Sequence, residues 1–116
     1  MNYSEVQLTK LAQENPEYLS KILTNPHTNI NTLTFGIEIL ASELKEDKLL
    51  LEPIKLLLKH VNAAVREGAC IALTSFYIEK APPQDIVDKL KWLHEHDPSS
   101  IVRDSIEIFL KDISKM

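Results

Sequence analysis

The side chains best equipped for chemistry in this chain crowd into residues 94–97, where His94 and His96 flank Glu95 and Asp97 follows at once. Imidazoles at such short range are the raw material of a metal site. Their spacing argues against one. On a helix, residues two apart point about 200° from one another, so His94 and His96 cannot close on one ion without a break in the helix, and a third and fourth ligand are missing. His27 and His60 occupy equivalent turn positions, where solvated turn residues are the expectation. Cys70 is the single cysteine. Nothing in the sequence brings a base to it, and it is expected to serve as a small buried hydrophobe. The two glycines, Gly36 and Gly68, fall inside helical patterns, where they permit close packing and form no phosphate loop. The chain is therefore expected to be no enzyme, with no metal and no cofactor.

The elements that would position these residues are helices. Apolar residues recur at three- and four-residue spacing almost throughout, and strict alternation is never sustained, so the fold is expected to be all-α. The spacing predicts a capping helix over about 4–14, opened by a Ser4/Gln7 capping box, with Val6, Leu8 and Leu11 inward, and closed at Asn15-Pro16. Three helical hairpins follow at about 16–44, 47–79 and 83–114. Asn25-Pro26 turns the first, and Ala81-Pro82-Pro83-Gln84 separates the second from the third. In the first hairpin Leu33, Gly36, Ile39, Leu40 and Leu44 face inward. Laying residues 25–40, 58–73 and 95–110 under one another aligns Leu40, Leu73 and Leu110, which are 33 and then 37 residues apart. The surplus falls in the Ala81–Gln84 loop. A lone hairpin cannot bury both flanks, whereas three stacked in order approach the minimum for a stable array.

The 116 residues have the size of one domain, and only two glycines and no low-complexity tract are present to make a linker. Net charge is −4 with the signs interspersed, so the chain lacks the basic stripe that nucleic acid or an anionic membrane surface demands, and neither is expected as a partner. One cysteine excludes an internal disulfide. No apolar run reaches the roughly 18 residues of a membrane span and no export signal is evident, so a cytoplasmic location is expected.

Pro53 inside a first helix, the apolar run Ile54, Leu56, Leu57 and Leu58, then Val65-Arg66, Ala69 and Leu73 make the middle unit resemble a HEAT repeat. The third unit resembles one too, with Asp97-Pro98 ahead of Val102-Arg103, followed by Ser105, Ile106 and Leu110. In the first, His27 and Leu33 stand where the family prefers Asp and Arg. The resemblance implies an α-α superhelix, a short right-handed solenoid of about three HEAT-like helical hairpins plus the N-terminal capping helix. It also implies that Arg–Asp pairs tie neighbouring repeats. Arg103, six positions after Asp97, is expected to reach a carboxylate at the turn. Arg66 has His60 in place of an Asp in its own unit, so its expected partner is Asp97 of the next.

In such stacks the second helices line the concave surface, which the resemblance marks as the binding face. Stepping 100° per residue from Val65 and Val102 places Thr34, Glu67 and Asp104 in one outward row. Glu38, Ile71 and Ile108 form a second row, Ala41, Thr74 and Lys111 a third, and Ile37, Cys70 and Glu107 stand beside them. The expected partner-binding residues are Glu38, Glu67, Ile71, Thr74, Asp104, Glu107, Ile108 and Lys111. An acidic face crossed by isoleucines suits a basic or amphipathic protein segment, and the expected function is that of an adaptor or regulatory scaffold. A nucleic-acid module similar to HEAT-like DNA glycosylases would need a cationic concave surface. An accessory protein similar to HEAT-containing bilin lyases would need a convergent catalytic set. Trp92 flanks the stripe Ile86, Leu90 and Leu93, at the core edge, while an exposed indole there would be an anchor for a partner. The last helix, carrying Ile101, Ile106, Phe109 and Ile113, has no successor to cover it, which would support a homodimer through that end.

Overall fold

A computed structural model describes residues 3–43, 48–77 and 81–114, with 40–43 and 48–50 by backbone alone. The described residues form seven helices and no strand: α1 (Glu5–Glu14), α2 (Pro16–Thr24), α3 (Ile30–Glu43), α4 (Lys48–Leu57), α5 (Ala63–Phe76), α6 (Gln84–His96) and α7 (Ser100–Ser114). Leu44 lies outside the described residues, as do the side chains of Leu40 and Ala41.

Local chemistry explains the boundaries. Ser4 and Gln7 close a reciprocal capping box on α1: Gln7 N donates to Ser4 Oγ at 3.2 Å and Ser4 N to Gln7 Oε1 at 2.8 Å. Asn15 ends α1 and caps α2, whose first residue is Pro16. Asn29, Asn62 and Ser99 precede α3, α5 and α7, and each side-chain oxygen accepts a first-turn N–H, from Thr32 at 2.8 Å, Ala64 at 2.9 Å and Val102 at 3.4 Å. Pro83 stands at the N-cap of α6, where its lack of an N–H costs nothing.

The helices lie in two rows. α1, α3, α5 and α7 pack in that order, and α2 packs on α4, while α1–α2, α4–α5 and α6–α7 contacts cross between the rows. Lys55 on α4 reaches Asp85 on α6 at 3.4 Å. One continuous core runs through the molecule, with Leu8, Leu19, Ile54, Leu73, Ile86 and Ile106 almost wholly enclosed. Each such side chain contributes about 1.5–3 kcal/mol by leaving water.

Several expectations change. α1 is a member of the row, packed on α3, and α2 touches α3 less than it touches α4 or α1, so the first hairpin is looser than the other two. Val6 is exposed, because the α1 stripe runs through Leu8, Leu11 and Ala12, and Val6 sits two residues before Leu8 on the far side. Ile37 and Cys70, expected beside the outward rows, are buried, since α3 and α5 are flanked within the row on both sides. Leu73 is enclosed and Leu110 half-buried. Ile106 and Phe109, expected on an uncovered flank of α7, are both buried, Ile113 is half-buried, and only Ile101 of that set is exposed. The glycines do permit close approach: a Cβ on Gly36 would lie 2.7 Å from Leu23 Cδ2, and one on Gly68 would lie 3.5 Å from Ile37 Cγ2.

Candidate functional site

The joint between the second and third hairpins sets the geometry of everything around it. Arg66 on α5 grips Asp97 at the α6–α7 turn with two parallel bonds, Nε to Oδ2 at 2.8 Å and Nη2 to Oδ1 at 3.1 Å. Its Nη1 donates to the carbonyl oxygens of His60 and Val61 at 2.8 and 2.9 Å. Asp97 Oδ1 also accepts from Ser99 N at 2.9 Å. Burial alone would raise the Asp97 carboxyl, but the Arg66 and Ser99 hydrogen bonds, with the Arg66 and Arg103 charges, hold it below the ordinary carboxylate value. Arg103 does not take the carboxylate. Its Nη1 donates to the Asp97 carbonyl oxygen at 2.6 Å, six residues back, in the relation Arg66 bears to His60.

On the row α3–α5–α7 the outward positions fall largely as the repeat register predicts. Glu38, Asp104, Glu107 and Lys111 are exposed, with Glu67 and Thr74 half-buried. Ile71 is 48 % exposed and Ile108 61 %, a large apolar area for side chains that the core could have taken. A groove of about 360 Å3 runs between α3 and α5, bordered by Glu38, Glu67 and Ile71 and floored by Ile37 and Gly68. Lys111 lies 3.7 Å from Glu107, a contact between exposed groups, and Thr74 turns its hydroxyl back to the Cys70 carbonyl oxygen at 2.9 Å. Ile101, one row further out than those expected, adds a third exposed apolar side chain at 58 %.

A larger groove, of about 610 Å3, opens on the other row, between α4 and α6. Leu58, Leu93 and Pro98 supply apolar lining, and Val61 stands 93 % exposed at its rim. Trp92, 59 % exposed, lies flat against His96 with ring centroids 4.4 Å apart. His96 Nδ1 donates to the Trp92 carbonyl oxygen at 2.8 Å, which fixes the stack one helical turn apart. Lys55, Lys59 and Lys89 border the groove, and its one carboxylate, Asp97, is spent on Arg66. Burial works against the Lys55 charge, but the Glu52 hydrogen bond and the Glu52 and Asp85 charges outweigh it and raise its pKa. Of the two placements that the sequence allows for Trp92, core edge or exposed, its indole is exposed. The rest of this groove was missed, because its lysines and Val61 come from two hairpins, and only their relative placement brings them together.

Burial pushes the Cys70 thiol up to about 12, with Asp97 and Glu67 adding to the effect and Arg66 opposing it, so the thiolate is scarce at neutral pH. Among the described residues, no three His, Cys, Asp or Glu side chains converge so as to hold a metal ion, and no helix is long and apolar enough to cross a membrane. No family model, curated protein or solved structure matches this chain.

Proposed function

We propose that this chain is a non-catalytic protein-interaction module, a single domain in which HEAT-like hairpins stack as a short right-handed solenoid. The repeated features support that stacking: capping residues at positions 29, 62 and 99, and the shared bond from Arg66 and Arg103 to a carbonyl six residues back. The face of α3, α5 and α7 takes a basic, amphipathic segment of a partner protein. The observation that carries this reading is the pair Ile71 and Ile108, exposed at equivalent positions on two helices packed together and bordered by Glu67, Asp104 and Glu107. Isoleucines held in water among carboxylates favour a partner that brings apolar side chains and positive charge together.

A labelled amphipathic peptide of alternating lysine and leucine faces tests it by fluorescence anisotropy. Binding should weaken with added salt, and should fall at least roughly tenfold for Ile71→Ala/Ile108→Ala at unchanged helix content. Equal affinity of the native chain and that double variant would defeat the assignment of this face.

A further inference from the structure

We propose that the groove between α4 and α6 is a second docking site, which takes an acidic peptide segment of a partner protein and seats one large apolar side chain of that segment between Val61 and Trp92. It lies on the opposite row of helices from the acidic face, and its electrostatics are reversed. Lys59 and Lys89 stand exposed on either side of it and make no ion pair among the described residues, whereas Lys55 is held by Glu52 and Asp85. No carboxylate within the groove is left to satisfy them, since Asp97 is enclosed and gripped by Arg66. A chain of net charge −4 thus keeps two unspent cations around this apolar recess.

The walls are built rather than incidental. His96 braces the indole of Trp92 on one ring face by stacking and by its bond to the Trp92 carbonyl, and the exposed indole lines the groove. Opposite, the Arg66 guanidinium holds the His60 and Val61 carbonyls, which fixes the turn that presents Val61. An anchor side chain entering here meets surfaces already in place, so little ordering is lost on binding. A small free anion gains less, because the one guanidinium fork is occupied and the lysines are separate point charges on flexible stems. Single-stranded nucleic acid would need a track of cations with several stacking platforms, against the two free lysines and one indole here. A segment with carboxylates flanking an apolar anchor uses both the rim and the floor.

A display library of random short peptides, panned on the intact chain, tests this. The recovered sequences should carry net negative charge and one Trp, Phe, Leu or Ile, and should shift the emission of Trp92, the only tryptophan in the chain. By calorimetry they should bind Lys59→Glu/Lys89→Glu and Trp92→Ala at least roughly tenfold more weakly. They should bind Ile71→Ala/Ile108→Ala as they bind the native chain, so this proposal and the one for the acidic face fail separately. Circular dichroism and unfolding midpoints confirm that each variant folds, as the substituted side chains are exposed. Recovery of only neutral or basic peptides, undiminished binding to Lys59→Glu/Lys89→Glu, or no peptide competing at Trp92 would overturn the proposal. So would tighter binding of oligothymidylate than of any recovered peptide, or a dimer in sedimentation that Lys59→Glu/Lys89→Glu abolishes.

Discussion

The turn between α2 and α3 is held by hydroxyl, amide and apolar groups among its described contacts. Thr28, buried, donates its hydroxyl to the Ile22 carbonyl oxygen at 2.6 Å, Asn25 Oδ1 accepts from His27 N at 2.8 Å, and Leu33 is enclosed. Gly36 lets Leu23 of α2 lie against the α3 backbone. At the turn between α4 and α5 the position equivalent to Leu33 is Arg66, and it ties the His60 and Val61 carbonyls to Asp97 of the next hairpin. The first joint works by shape and acts locally. The second works by charge and reaches from one hairpin to the next, which also stiffens one wall of the α4–α6 groove. The same fold is thus fastened in two ways, and the two should fail differently.

The ionic joint should be the more costly to break. Arg66→Ala leaves the Asp97 carboxylate enclosed without its partner and frees two carbonyl oxygens, so urea unfolding should show a loss of about 3–5 kcal/mol. Replacing the pair together, as Arg66→Met/Asp97→Leu, removes the stranded charge and should lose less, roughly 1–2 kcal/mol for the Ser99 N–H and the His60 and Val61 carbonyls left without their partners. A double variant as unstable as the single one would mean that the joint is held by something other than this pair.

Acid probes the same joint more gently. The Asp97 carboxyl is held below its ordinary value in the folded chain, so between the folded and unfolded values the unfolded chain binds more protons. Its stabilising contribution is complete above the ordinary carboxylate range and is lost as pH falls through the depressed folded value. Stability measured downward from neutral pH should therefore fall more steeply in the native chain than in Arg66→Met/Asp97→Leu. Parallel profiles would remove Asp97 as a source of acid sensitivity.

The joints also differ in how far they could be read from residues alone. The Arg66–Asp97 pair was legible because the repeat register leaves Arg66 without an acid in its own unit and offers one in the next. Helix limits were legible because Asn15-Pro16, Asn25-Pro26 and the Ala81–Gln84 loop are breaks that chain geometry enforces. The exposure of Ile71 and Ile108 followed from stepping around α5 and α7. The burial of Ile37 and Cys70 did not, since a helix between two neighbours hides a wider arc than its main stripe. Nor did the α4–α6 groove, whose existence depends on how two hairpins lie against each other.

The two glycines sharpen the contrast with the smallest effect, because the same substitution should change sign between them. Alanine in a helix interior is favoured over glycine by about 1 kcal/mol through backbone entropy alone. At Gly68 the added methyl would meet Ile37 at 3.5 Å, an ordinary van der Waals distance, so the helix gain stands and Gly68→Ala should raise stability by up to about 1 kcal/mol. At Gly36 it would lie 2.7 Å from Leu23 Cδ2. Leu23 is buried and must shift to admit it, at a cost of about 1–3 kcal/mol. Gly36→Ala should therefore be neutral to destabilising by up to about 2 kcal/mol once the helix gain is subtracted. If thermal unfolding showed both variants equally stabilised, the first joint could not be a lock of shape, and its distinction from the ionic joint would rest on Thr28 and Leu33 alone.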